Sequence, residues 1–214
     1  MKSLYIVGTS GLAREMAFLI KAVEQANWRL DGFIAADAGE IGRDLGFAKV
    51  VGDDAWLLGQ ERPCGVVMGV GTPSIKQRVS DRYLSAGPRF AFPTFIHPTA
   101  VLDERIVKLG RGNMVTAGCV FTCDIEVGDF NLFNLQTTVG HDARIGNCCV
   151  FNPSVNLSGG VQVGDAVLVG TGAQVLENRI IGDRANVGAG AVVTKDVTPE
   201  MTVVGVPARP LGAT

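Results

Sequence analysis

The sequence predicts an α/β amino-terminal domain followed by a parallel β-helix of triangular cross-section. Three observations carry this reading. Large apolar residues recur every six positions from Leu109 to Val193 without an exception. A smaller or β-branched residue stands two positions before most of them. Upstream of residue 93 this period is missing, and strand, glycine-rich turn and helix signals alternate instead.

In chain order, Leu4-Tyr5-Ile6-Val7 reads as a buried strand, Gly8-Thr9-Ser10-Gly11 as a turn, and about Ala13 to Ala26 as a helix. A second strand is expected over about Leu30 to Ile34, ending near Asp37. Val66 to Val70 gives a third, followed by Gly71-Thr72-Pro73-Ser74 and a helix through about Ala86. Repeated strand–turn–helix units of this kind make a small parallel βαβ sheet. The expected boundaries are 1–92 for this domain, 93–108 for a connector, 109–198 for the β-helix and 199–214 for a carboxyl-terminal tail.

The β-helix follows from arithmetic. Leu109-Gly110, Val127-Gly128, Ile145-Gly146, Val163-Gly164 and Ile181-Gly182 are aliphatic–glycine pairs 18 residues apart. Each 18-residue unit holds three apolar positions six apart, so three short strands form one coil. Five coils at ~4.8 Å each give a prism about 24 Å long. Glycines near the corners are expected to permit the turns. Burying fifteen apolar side chains contributes on the order of 20–45 kcal/mol gross, which opposes the ordering entropy of a solenoid.

Composition limits the partners. The chain has 214 residues, a net charge of −2, 47% hydrophobic and 19% charged residues. Nothing there favours nucleic acid or a basic membrane-binding face. The start, MKSLYIVGTSG, is too short and too quickly glycine-rich for a signal peptide, and no apolar run reaches membrane-spanning length. Five cysteines without regular spacing imply free thiols and a cytoplasmic location. With only two histidines, the chain offers no zinc set, so no metal is expected.

Two turns, 8–11 and 71–74, follow strand ends and open helices. Their N–H groups suit a phosphate, or the glycines serve only as tight turns. The pattern Gly-x-x-Gly lacks the dinucleotide fingerprint, which argues against a nicotinamide cofactor. His97 and His141 are the two candidate bases. His97, in Phe95-Ile96-His97-Pro98, reads as a turn residue. His141 lies two positions after the apolar Val139 and therefore points outward from the prism, with Asp142 beside it to orient the ring. Phe130, Leu132 and Leu135 also fall outside the buried ladder. A neighbouring subunit is expected to cover them, in preference to the amino-terminal domain.

The six-residue pattern resembles the hexapeptide-repeat acyltransferases over the whole carboxyl half, which implies a left-handed coil, a trimer, and acyl-CoA between neighbouring prisms. Gly8 to Glu15, Gly32-Phe33-Ile34, Gly71 to Ser74, Ile96-His97-Pro98, His141-Asp142 and Val204 to Ala208 extend the likeness. Together they resemble the bacterial sugar O/N-acetyltransferases of sialic-acid O-acetyltransferase and nucleotide-amino-sugar N-acetyltransferase type. The resemblance implies His141 as general base, assisted by Asp142 and by Asn134 of an Asn-x6-His-acid element. It implies Ser10, Gly11, Gly71 and Ser74 at the sugar nucleotide, and Thr171 and Ala189 at acetyl-CoA. Lys195 and Arg209 stand where CoA phosphates would lie, or are solvated charges. Departures are Leu12 and Val150, where relatives often carry histidine, and Ala35-Ala36, where they often carry acids. The implied activity is acetyl-CoA-dependent N-acetylation of a nucleotide-linked amino sugar in surface-glycan biosynthesis, by a homotrimer with sites at subunit interfaces. O-acetylation of sialic acid or a related sugar is the alternative, and a non-enzymatic β-helix scaffold is the third possibility.

Overall fold

The computed structural model describes residues 1–23 and 27–212. The end of the expected first helix, at Ala26, and the last two residues of the tail lie outside the described residues. The first 92 residues form β1 (Lys2–Val7), α1 (Gly11–Ala22), β2 (Trp28–Ala35), β3 (Val50–Asp53), α2 (Asp54–Leu58), β4 (Cys64–Met68), α3 (Pro73–Ser85) and β5 (Phe90–Ala91). All five strands are parallel, in the order β3-β2-β1-β4-β5. The chain runs outward from β1 in one direction and, after returning, outward from β4 in the other. The crevice beyond the ends of β1 and β4 is therefore the switch point, where open α/β sheets bind ligands. The short β3, α2 and β5 are additions to the three strands and two helices read from the sequence.

Alternation along β1 splits the core. Leu4 and Ile6 face α1, whereas Val7 faces α3 together with Val66 and Met68. Glycine is required where the layers meet most closely. Gly8 has φ +120°, and a Cβ there would sit 2.7 Å from the Gly69 carbonyl oxygen.

The rest of the chain winds into a left-handed parallel β-helix with three sheets. The first contains Phe95–Ile96, Met114–Val115, Leu132–Phe133, Val150–Phe151, Leu168–Val169, Asn186–Val187 and Thr202–Val204. The second runs from Val120–Phe121 to Val192–Val193, and the third from Val107–Leu109 to Ile180–Ile181. Of the six-residue apolar ladder only Leu109 is not fully buried. Phe133 stacks on Phe151 of the next coil at 4.9 Å and meets Phe121 edge-on at 4.8 Å. In the smaller ladder the exception is Arg179, which turns out to bond the Glu177 carbonyl. Asn113 and Asn131 are buried there because their amides complete the backbone ladder. Each Oδ1 accepts from the N–H one coil on, and each Nδ2 donates to a glycine carbonyl.

Three expectations need correcting. Residues 93–108 are the first coil of the prism and no mere connector. Phe95–Ile96 pairs with Met114–Val115, Val101 bridges Val120, and Val107–Leu109 pairs with Ile125–Val127. Ile96 and Leu102 pack on the core, but Leu109 follows Leu102 by seven residues, and that extra residue hides the period. The tail likewise continues the stack. Thr202–Val204 pairs with Asn186–Val187, and Arg209–Pro210 folds back antiparallel on it. Glycine is required beside the corners at 110, 128, 146, 164 and 182, where a Cβ would collide with the following coil, but the left-handed corner positions themselves are mostly held by other residues. Left-handed backbone recurs every six residues from 112 to 190, yet Gly occupies only 112, 118, 160, 172 and 190 of those sites. Asp124, Phe130, Gln136, Asp142, Cys148, Ser154, Ala166, Asn178 and Arg184 hold the others. Each such residue costs on the order of 1–2 kcal/mol, which the stacked ladders offset.

The expected subunit cover over Phe130 and Leu132 is also overturned. They are 3% and 2% exposed within the single chain. Leu132 joins Phe95, Met114 and Val150 in one core with Met16, Leu19 and Ile20 of α1, while Phe130 meets Phe92 edge-on. The amino-terminal domain therefore lies on the first sheet of the prism. Of the three, Leu135 alone stays open, at 47%.

Candidate active site

The prism has three edges, and they divide the candidate residues. His141 and Asp142 occupy the edge between the second and third sheets, directly after Thr138–Val139. The His141 ring is exposed and lies against Gly159, one coil further on. A Cβ at residue 159 would come within 2.5 Å of Nε2 and Cε1, so the imidazole position depends on that glycine. His141 Nδ1 is 2.7 Å from Asp142 Oδ2. A carboxylate accepts, so Nδ1 carries the hydrogen in the neutral ring and Nε2 keeps its lone pair for an incoming proton. Gly159, not singled out from the sequence, is findable there, since 159 is 141 plus one 18-residue coil.

Asn134, Thr171 and Ala189 share a different edge, between the first and second sheets. Asn134 is equivalent by coil to Gly170 and Gly188, and Thr171 to Ala189. They form a column that rises about 4.8 Å per coil. Thr171 and Ala189 are exposed, whereas Asn134 is buried with its Oδ1 accepting the Leu135 N–H at 2.8 Å. The structure thus unites His141 with Asp142 but does not bring Asn134 to them within one chain. Lys195 lies on the His141 edge, three coils along, and with Arg209 lines a 260 Å3 groove at the carboxyl end of the prism.

The turns at 8–11 and 71–74 do meet. Both lie at the switch point, and a Cβ at Gly71 would stand 3.2 Å from the Leu12 side chain. Ser10 and Thr72 cap α1 and α3 in position, yet neither side chain bonds its helix, which leaves first-turn N–H groups of both helices available. Ser10, Gly11 and Ser74 are exposed there. Ala35 is buried at the end of β2, and Asp37 is engaged with the Gly39 N–H. Val150 is buried beneath α1, so a histidine at that position of this fold would be remote from the edges.

A 130 Å3 pocket lies between α1 and the Asn134 edge, with Glu15, Phe18, His97 and Thr116 among its walls. A larger trough of 760 Å3 follows the glycine column of the third sheet and contains none of the candidate residues. Among the described residues no group of His, Cys, Asp and Glu is placed to hold a metal, and no helix is long and apolar enough to cross a membrane.

The family profile for "Bacterial transferase hexapeptide (six repeats)" matches residues 160–195. No curated protein matches by sequence. Among solved structures, PerB from Caulobacter crescentus, in complex with CoA and GDP-perosamine, is 31% identical with a TM-score of 0.86, covering 99% of this chain and 98% of that one. That enzyme, a perosamine N-acetyltransferase, has also been solved with a histidine changed to asparagine or alanine. The acetyltransferase domain of PglB from Neisseria gonorrhoeae is 28% identical with a TM-score of 0.88, covering 99% and 100%. WeeI from Acinetobacter baumannii is 27% identical with a TM-score of 0.84, covering 99% and 100%.

Proposed function

This chain belongs to the hexapeptide-repeat sugar acetyltransferase family, and we propose that it N-acetylates a nucleotide-linked amino sugar with His141 as general base. The observation that carries the reading is the His141–Asp142 pair on an open edge, with Nε2 unengaged and the ring seated on Gly159.

Acetyl-CoA supplies an activated acetyl thioester. As the amine nitrogen bonds to the acetyl carbon, the amine gives up a proton, and His141 Nε2 accepts it. Asp142 holds the ring in the required tautomer and stabilises the imidazolium. His141 then returns the proton to the departing thiolate sulfur. Asn134 keeps both Nδ2 hydrogens for the carbonyl oxygen, where negative charge grows during attack. Thr171 and Ala189 line the CoA arm, and Lys195 and Arg209 meet its phosphates. Ser10, Gly11, Gly71 and Ser74 hold the nucleotide diphosphate at the two helix starts.

These roles need two prisms. His141 and Lys195 stand on one edge and Asn134, Thr171 and Ala189 on another, so a complete site forms when unlike edges of adjacent chains face each other. A closed threefold ring makes three such sites. Exposed Leu135 and Leu176, one on each of these edges, fit that contact. The five unpaired cysteines and the need for acetyl-CoA support a cytoplasmic location.

The test is His141→Ala, assayed by CoA release with GDP-perosamine and other nucleotide-linked amino sugars. Turnover is expected to fall ~10²–10⁴-fold while the threefold mass and melting temperature persist. Full activity in the variant would contradict the assignment, and an acetyl ester as product would replace N-transfer by O-transfer.

A further inference from the structure

Asn134 belongs to a column of edge positions, and the next of them, Asn152, takes no part in the roles above. Leu132 pairs with Val150, Val150 with Leu168 and Leu168 with Asn186, so Asn134, Asn152, Gly170 and Gly188 follow one another at single-coil intervals. Gly170 and Gly188 present only backbone, and a Cβ at Gly170 would come within 2.5 Å of the Ala189 nitrogen. The column is therefore bare beside Thr171 and Ala189, and Asn152 is its first side chain on the way down to Asn134. The Asn152 backbone N–H closes the coil on the Val169 carbonyl at 2.9 Å. Its side-chain amide is half-buried and engages no partner among the described residues. Asn113, Asn131 and Asn147 differ, because their amides all bond within the stack.

Height along the prism ties Asn152 to the base. One coil of 18 residues rises ~4.8 Å, so seven residues rise ~2 Å and 25 residues rise ~7 Å. The His141 ring leans toward the carboxyl end, with Nε2 2.5 Å from the Cβ position of Gly159. Gly159 stands seven residues above Asn152 and 25 above Asn134. A threefold rotation about an axis along the prisms leaves these heights unchanged. Where the His141 edge of one chain meets the Asn134 edge of its neighbour, Nε2 is thus level with Asn152, and Asn134 lies about a coil below. Two amides ~4.8 Å apart can both donate to one oxygen between them at the ordinary length of ~2.9 Å. That oxygen accepts twice and sits beside the attacking amine, which describes the carbonyl oxygen of the acetyl thioester.

We propose that Asn152 is a second catalytic amide, whose Nδ2 donates together with that of Asn134 to the acetyl carbonyl oxygen as negative charge grows there. The proposal rests on the N-acetyltransfer reading with a site shared between edges, and adds one residue to it.

The test compares Asn152→Ala with Asn152→Asp, using acetyl-CoA and the nucleotide amino sugar that turns over, starting from GDP-perosamine. Alanine removes the donor, and kcat is expected to fall ~10²-fold or more. Aspartate keeps the shape but sets a carboxylate against the growing charge, so it should be slower still. Both KM values should stay within about threefold, as expected for a contact made in the transition state alone. Melting temperatures should match wild type, because this amide bonds nothing in the fold. A packing role gives the opposite order, with the isosteric aspartate milder than alanine, and that order overturns the proposal. An unchanged kcat in both variants overturns it too, as does a loss confined to the acetyl-CoA KM. In each of these outcomes a slow His141→Ala enzyme leaves the acetyltransfer reading standing. A wild-type protein inactive on every nucleotide amino sugar overturns that reading, and the role of Asn152 with it.

Discussion

The first sheet of the prism and the edge that carries His141 are made from the same six-residue repeat, yet they do opposite work. Outward positions on the first sheet, Met114, Leu132 and Val150, are sealed beneath α1. The edge remains open, with His141, Asp142, Glu177 and Lys195 all exposed. The repeat fixes what points inward, and each outward column is then free to serve docking or chemistry. Faces should therefore carry stability and edges should carry rate.

The largest effect is expected on the face. Leu132→Ala removes a buried side chain from the joint core and should destabilise the protein by about 2–5 kcal/mol, read by denaturant unfolding. Turnover per folded molecule should change little. A large loss of rate with normal stability would break the division between face and edge.

Next comes Lys76, on α3 at the same junction. It is 2% exposed, and burial lowers its ammonium to about 8, with the nearby Cys148 and Cys149 thiols opposing the shift. The folded-state value lies below the ordinary 10.5. Between about pH 8 and 10.5 the unfolded chain therefore binds more protons, and stability rises with pH across that window. Below it the full penalty applies. Lys76→Met should stabilise the protein at pH 7 by on the order of 3 kcal/mol and abolish the rise. A variant that melts lower at pH 7 would contradict this sign.

On the edge, Gly159→Ala should displace the imidazole, because the added carbon would lie 2.5 Å from ring atoms, well inside van der Waals contact. A misplacement of this kind costs on the order of 10²-fold in turnover. Gly159 has ordinary backbone angles, so the melting temperature should move little; a collapse of the fold would show that the edge also carries stability.

How much of this was readable depends on the position. Val139 buried and His141 outward follow from counting by six, because a triangular coil allows no other phase. The covering of Leu132 by the amino-terminal domain also leaves a signal in the sequence. Met114, Leu132, Val150 and Leu168 make an apolar outward column at 18-residue spacing, whereas Lys108, Glu126, Arg144 and Gln162 make a polar one. Only a column-by-column comparison reveals which face another domain covers. The ends of the prism were hidden by one extra residue before Leu109 and by a coil of 16 residues between Val187 and Val203. Asn134 shows what spacing along the chain conceals. Seven residues from His141, it crosses one whole strand and reaches another edge.

Sharing of the site between two edges is tested most directly by co-expressing His141→Ala with Asn134→Asp chains. Each variant alone should be nearly inactive, by ~10²-fold or more. In a threefold ring of randomly mixed chains, about one junction in four pairs an intact His141 edge with an intact Asn134 edge. Activity should return to about a quarter of wild type. Mixed assemblies no more active than either parent would contradict the account.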